Sequence, residues 1–257
     1  MSNVLSIVFG SLIGFALGLT GGGGSIFAVP MLVYGLAVPP REAIGVSLAA
    51  VGTTALLGAL GRLRAGEVNI RVGLLFAIAG MLGAPLGTAI NAYLPEWLLL
   101  LMFAGLMVAI AVRMWNKARP AGTSSATTVA NTTITLRDLA GLGVVGLITG
   151  VLSGLFGVGG GFLIVPGLVL AGKLPVHRAV ATSLLVIAMI SASGLASYLL
   201  AGRHLGLELT VLFVVGGALG MLAGTWLSRR LSAPKLQRLF AVVMVAVALF
   251  VIGKTVV

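Results

Sequence analysis

Two glycine-rich runs carry the only arrangement in this chain that invites chemistry, and they lie 136 positions apart. Gly18-Leu19-Thr20-Gly21-Gly22-Gly23-Gly24-Ser25 leads into Val29-Pro30, and Gly154-Leu155-Phe156-Gly157-Val158-Gly159-Gly160-Gly161 leads into Val165-Pro166. Three or four adjacent glycines break a helix. Each run interrupts a strongly apolar segment, where non-helical backbone is tolerated only if it is buried in protein or lines a cavity. The proline that follows removes a helical donor or starts a helix at its first turn. Amides left without helical partners beside a helix N-terminus attract anions without any charged side chain. The predicted chemistry is therefore anion recognition by backbone, with Thr20, Gly21, Gly22, Gly23, Gly24 and Ser25 on one side and Gly157, Gly159, Gly160 and Gly161 on the other.

Ser47 in the first half, and Thr182 with Ser183 in the second, form a second candidate group, with Thr53, Thr54, Ser191 and Ser193 nearby. Such hydroxyls serve a ligand or bond to a neighbouring helix carbonyl with equal ease. Ionisable groups are missing from the middle of every apolar segment: Glu42, Glu67, Glu96, Asp138 and Glu208 all fall at ends or in loops. Proton relays and cation sites inside a membrane ordinarily keep such a group. No carboxylate pair, catalytic cysteine or Ser/His/Asp set lies at membrane depth, so the reading is not an enzyme. With no cysteine and only His177 and His204, neither a metal site nor any other cofactor is called for. A nucleotide loop at Gly157 to Gly161 lacks the following Gly-Lys-Ser/Thr.

The elements that must hold these runs are membrane helices. The chain is 59% hydrophobic and 8% charged, a balance that no soluble domain of 257 residues presents to water. Apolar segments at 4–20, 43–60, 72–92, 97–115, 139–156, 179–200, 207–228 and 235–253 predict eight long helices. The first follows Met1-Ser2-Asn3 with no basic flank or cleavage pattern and reads as a retained helix. Tyr93, Trp97, Trp115 and Trp226 fall near segment ends, as interface anchors do. The net charge of +11 belongs to loops rather than to a nucleic-acid surface, so nucleic acid is not an expected partner.

The repeat extends well beyond the glycine runs. Gly10, Gly14 and Gly18 match Gly146, Gly150 and Gly154; after one inserted residue, Gly80, Gly83 and Gly87 match Gly217, Gly220 and Gly224. Glycines at three- and four-residue spacing are ordinary helix contacts. The expected fold is an all-α polytopic membrane protein of two repeats, 1–115 and 138–257, joined by a polar linker at 116–137.

The short apolar stretches after the runs, Ile26 to Leu36 and Phe162 to Ala171, span only about 16 Å as helix against a membrane core of about 30 Å. If each returns to the side from which the preceding helix entered, the halves are inverted, with thirteen basic residues on the linker side and Arg41, Arg203 and Lys254 opposite. If helix and short stretch make one broken crossing, the division is nine against seven. The positive-inside bias favours inversion, with a cytoplasmic linker and both termini outside. Each first helix either spans fully or forms a shallow re-entrant hairpin; the sides are the same.

At these residues the chain resembles the TauE/SafE family of membrane transporters, also described as sulfite exporters. The carriers are the paired runs ending in Val29-Pro30 and Val165-Pro166, and Ala179-Val180-Ala181-Thr182-Ser183-Leu184, similar to the family's Ala-x-x-Thr-Ser-Leu. The first-half counterpart has Val46 for threonine, which makes the half-sites unequal and favours Thr182 as a contact. The resemblance implies transport of sulfite, organosulfonates or related small sulfur-containing anions across a bacterial inner membrane. Partners are then a small anionic substrate and the bilayer, and monomer and homodimer both remain open. A secondary transporter or facilitator is the leading expectation, and a passive anion channel is the alternative.

Epitope tags at the two ends test the topology. Both should react with antibody added outside intact cells, and a tag in 116–137 only after permeabilisation. A cytoplasmic N-terminus with an external C-terminus overturns the inverted arrangement.

Overall fold

In a computed structural model of the chain, the described residues are 2–22, 24–117, 136–156, 161–172, 174–228 and 230, with isolated positions between 242 and 253. Among them the regular elements are all helical. They are α1 (Ser2–Thr20), α2 (Ser25–Pro30) running into a π-helical turn (Met31–Gly35), α3 (Pro40–Arg64), α4 (Ile70–Asn91), α5 (Glu96–Lys117), α6 (Leu136–Phe156), α7 (Gly161–Leu170), α8 (Val176–Leu200) and α9 (Leu207–Ser228). The expected eighth long segment, 235–253, lies outside the described residues apart from a few positions. Within the linker expected at 116–137, α5 continues to Lys117 and α6 starts at Leu136; 118–135 lie outside the described residues.

Four helices, α3, α4, α8 and α9, are long and apolar enough to cross a membrane by themselves. Val4–Thr20, Ser25–Gly35, Trp97–Ala109 and Ala140–Phe156 are shorter apolar helical stretches. At 25 residues each, α3 and α8 reach about 37 Å and form the buried centre. Leu82 and Leu86 of α4, and Leu219 and Leu222 of α9, stay outward and exposed, as lipid-facing positions do.

Glycine sets the pairing of the other helices. Lipid tails are as apolar as leucine, so helices associate in a membrane through close packing, which small residues permit. A methyl group at Gly10 would stand 2.6 Å from the Phe213 carbonyl, and one at Gly18 2.6 Å from that of Met221. Gly14 faces the backbone of Gly217, and Gly220 and Gly224 of α9 press on Ser11 and Phe15 in return. Rising numbers meet rising numbers, so α1 and α9 run parallel. The same contacts recur between α6 and α4: Gly146 against Phe76, Gly150 against Gly80, Gly154 against Ala84.

Equivalent pairs also appear in the turns. The Val38 N–H donates to Leu32 O and the Leu174 N–H to Leu168 O; the Ala43 N–H donates to Pro39 O and the Ala179 N–H to Pro175 O. Helices α3 and α8 end at Gly66 and Gly202, each at φ +69, the left-handed position that suits glycine after a helix. The first helix of each half therefore packs on the late helix of the other half, and the two halves interleave.

The central pair runs the opposite way. Gly45 meets Tyr198, Gly52 meets Ser191 and Gly58 meets Leu184, so α3 and α8 are antiparallel. Gly58 touches Leu184 and Met221, and its counterpart Gly194 touches Leu48 and Ala84. At one end of the bundle Arg62 bonds to Ser228 and the Asn69 N–H to Thr182 Oγ1; at the other Tyr198 bonds to the Arg41 and His204 carbonyls and Arg203 to Asn91.

Gly14→Leu and Gly150→Leu should each destabilise the protein by at least about 1–3 kcal/mol, the usual cost of overpacking. Gly105, with open space around it, serves as control: Gly105→Leu should leave the thermal unfolding midpoint in detergent nearly unchanged. Equal midpoints for all three variants would contradict the packing assignment.

Candidate functional site

The first glycine run is a turn with little slack. Helix α1 ends at Thr20, and the Gly21 N–H returns to the Leu17 carbonyl at 2.8 Å with Gly21 at φ +76. A β-carbon there would be strained and would also stand 2.6 Å from the Val180 carbonyl. The chain then doubles back: Gly24 packs on the backbone of Ile13 and Leu17, and Gly35 on the ring of Phe9. The short stretch of α2 and its π turn thus runs antiparallel to α1. Pro30 ends the α-helical part, and the wider turn follows at once, as befits a residue that offers no N–H to the ladder. In the second half Pro166 sits inside α7 without such a turn.

The expected hydroxyl groups fall into distinct roles. Thr20 Oγ1 donates to the Ala16 carbonyl at 2.7 Å and Ser25 Oγ to the Gly22 carbonyl at 2.7 Å, each a bond within its own turn. The Ser183 hydroxyl lies 2.8 Å from the carbonyls of both Gly21 and Val180 and binds α8 to the first glycine turn. Thr182 Oγ1 accepts from the Asn69 N–H at 2.9 Å, which seats the start of α4. Ser47 is fully buried and its hydroxyl has no partner; Ser153, one turn before the second run, and Ser191 share that condition.

The two halves do meet at the glycines. Gly22 and Gly161 pack backbone to backbone, and Gly161 lies beside Ile187 of α8, close to the point where α3 and α8 cross. Gly23, Gly157, Gly159 and Gly160 lie outside the described residues. Ser47 and Ser183 are not brought together. Leu48 sits opposite Gly194, so Ser47 is near the level of residue 195, about 18 Å along α8 from Ser183. One small anion cannot touch both at once.

Arg62 is a residue whose role sequence reasoning missed. Counted there among the cations of the linker side, it is only 3% exposed. Its Nη2 donates to the Gly18 carbonyl at 3.1 Å and to Ser228 Oγ at 2.8 Å, and its Nη1 pairs with Glu67 at 3.4 Å. At the opposite end Asn91 Nδ2 donates to the Leu155 carbonyl at 2.8 Å, while Arg203 Nη1 donates to Asn91 Oδ1 at 3.2 Å. Both first helices thus have a carbonyl of their last turn capped by a polar side chain from another helix. Such carbonyls are orphaned wherever a helix stops. The signal in the sequence was the doubled position itself, since Asn91 and Ser228 are equivalent at the 137 offset.

Every buried polar side chain among the described residues is Ser, Thr, Asn, Tyr or Arg. Acceptor-only carboxylates are absent from that set. Donors, whether amide, hydroxyl or guanidinium, dominate the polar interior, and these are groups that solvate an anion.

Known proteins match nearly the entire length. The family model described as sulfite exporter TauE/SafE matches residues 6–251. A probable membrane transporter protein of Xylella fastidiosa (strain Temecula1 / ATCC 700964) is 39% identical over 259 aligned residues, covering 99% of this chain and 96% of the relative. The probable membrane transporter protein YunE of Bacillus subtilis (strain 168) is 30% identical, covering 98% and 96%. MJ0441, a probable membrane transporter protein of Methanocaldococcus jannaschii, is 29% identical over 78% of this chain and 73% of its own. No solved structure matches the chain. The doubled glycine runs of the sequence, the apolar helices and this full-length likeness together make the chain a multi-pass membrane protein that belongs to the sulfite exporter TauE/SafE family of transporters.

Proposed function

We propose that the protein is a secondary carrier or facilitator that moves a small sulfur-containing oxyanion, of the sulfite or organosulfonate class, across the bacterial inner membrane. The observation that carries this reading is the contact of Gly22 in the first glycine turn with Gly161 at the start of α7, in a polar interior that holds no buried carboxylate among the described residues. The substrate class comes from the family description, sulfite exporter. The sign of an anion agrees with a polar interior rich in donors.

Inverted repeats, 1–115 and 138–257 about a linker at 116–137, are part of the proposal. Supporting them is the antiparallel contact of α3 with α8. Equivalent helices that touch antiparallel are related by an axis perpendicular to their length, which for spanning helices lies in the membrane plane. The return of α2 beside α1, and the bond between the Asn69 loop and α8, likewise agree with the thirteen-to-three division of basic residues. On that reading the end holding Arg62, Arg64 and Arg178 is cytoplasmic and both termini are outside, with α1 lying along α9 from Ile7 to Leu19.

The substrate contacts proposed are amides of Gly22, Gly23 and Gly24 and of Gly157, Gly159, Gly160 and Gly161, with Gly21 holding the turn through its bond to Leu17, Ser47 flanking one end and Thr182 and Ser183 the other. Thr20 and Ser25 support the first turn through their internal bonds. The movement of halves about the glycine turns would then present the anion to each side in alternation. Without an intramembrane carboxylate, coupling is by uniport, by exchange, or by the proton that a weakly acidic substrate itself carries.

Reconstituted vesicles should show saturable counterflow of sulfite or a sulfonate, tested beside sulfate and thiosulfate with and without a pH gradient. Flux without counterflow would mark a channel. Because the Ser47 hydroxyl has no internal partner, Ser47→Ala should fold normally yet weaken substrate affinity by about tenfold, the value of one hydrogen bond to a charged group. Unchanged transport in both Ser47→Ala and a folded Gly160→Leu would remove the site assignment.

A further inference from the structure

Each end of the bundle carries one arginine at the same three-way junction, although the two arginines are not equivalent in sequence. The 136 offset holds through Gly66 and Gly202, so position 62 corresponds to 198 and position 67 to 203. At one end this pair is Arg62 with Glu67, 3.4 Å apart. At the other it is Tyr198 with Arg203, whose guanidinium carbon lies 5.4 Å from the ring centroid. In both cases the arginine bonds to the residue that ends the late helix, Ser228 on α9 or Asn91 on α4. Through that residue or directly, it also holds the last turn of a first helix, at Gly18 or at Leu155.

Conservation of a single motif does not explain this. The guanidinium has changed places between helix end and loop, while its bonded partners kept theirs. What is common to the two ends is a cation that ties α1 to α3 and α9 at one, and α6 to α4 and the loop after α8 at the other. We propose that Arg62 and Arg203 are two end latches that position the helices for transport, each closing its own end and released when that end opens. This rests on the carrier reading, because a carrier must keep one end closed while the other is open. Both latches are closed in this structure. Arg62 meets Glu67, which is 34% exposed, and Arg203 meets the Asn91 side-chain amide and an aromatic face. These are bonds of moderate strength, suited to being broken in a cycle.

The cysteine-free chain makes the test direct. Thr225 and Thr88 occupy equivalent positions one turn before Ser228 and Asn91; Thr88 is 4% exposed. Single Thr225→Cys and Thr88→Cys reporters are labelled with a membrane-impermeant maleimide from either face of vesicles. Arg62→Met should raise labelling of Thr225→Cys about three- to fifteen-fold, the range set by one interhelical hydrogen bond, and should lower that of Thr88→Cys. Arg203→Met should do the reverse, and Arg62→Lys should fall between Arg62→Met and the parent. Labelling that rises equally at both ends signals general loosening and overturns the latches, as does labelling that moves at neither end. Substrate counterflow by the unsubstituted arginine parent, measured in the same vesicles, tests the carrier reading separately: loss of that reading shows as flux without counterflow, failure of the latches as counterflow with unsided labelling.

Discussion

A helix that stops inside a membrane leaves carbonyls and amides with no water to receive them, and the rest of this structure is arranged around that debt. Each unsatisfied group in hydrocarbon costs several kcal/mol. The first break is closed from several directions: Gly21 returns its N–H to Leu17, Ser183 reaches the Gly21 carbonyl, and Arg62 reaches that of Gly18. In the second half Asn91 does for Leu155 what Arg62 does for Gly18. A break is thus possible only where α3, α8 and the late helices converge, which is why the short stretches lie against the central pair.

That convergence requires helices to approach more closely than large side chains allow. Glycine lowers helix stability by about 1 kcal/mol relative to alanine in water, yet α1 keeps Gly10, Gly14 and Gly18 and α9 answers with its own series. The compensation is backbone-to-backbone contact along most of both helices. Large apolar groups are displaced to the lipid side, where Leu82, Leu86, Leu219 and Leu222 are exposed.

Much of this was legible in the residues. The offset identified equivalent positions, the spacing of Gly10 to Gly18 and Gly80 to Gly87 marked packing faces, and the length of Ile26 to Leu36 marked a stretch too short to span. What could not be read was distance. Ser47 and Ser183 match at the 136 offset yet stand about 18 Å apart along α8, whereas Gly22 and Gly161, which are not counterparts at that offset, pack backbone to backbone. Arg62 was hidden for another reason: its sequence neighbours are those of a loop cation, and only the fold lays Gly18 and Ser228 against it.

The interleaving of the halves has a bearing on how such a protein comes to exist at all. Since α1 beds on α9 and α6 on α4, neither half encloses an interior of its own. In folding terms the molecule resembles a pair of subunits tied together by a tether. The chain synthesised first must wait in the bilayer with a glycine-lined face uncovered until the second is made. The tether turns that wait into an intramolecular search, and it releases the two copies to diverge, as Arg62 opposite Tyr198 and Glu67 opposite Arg203 show they have done.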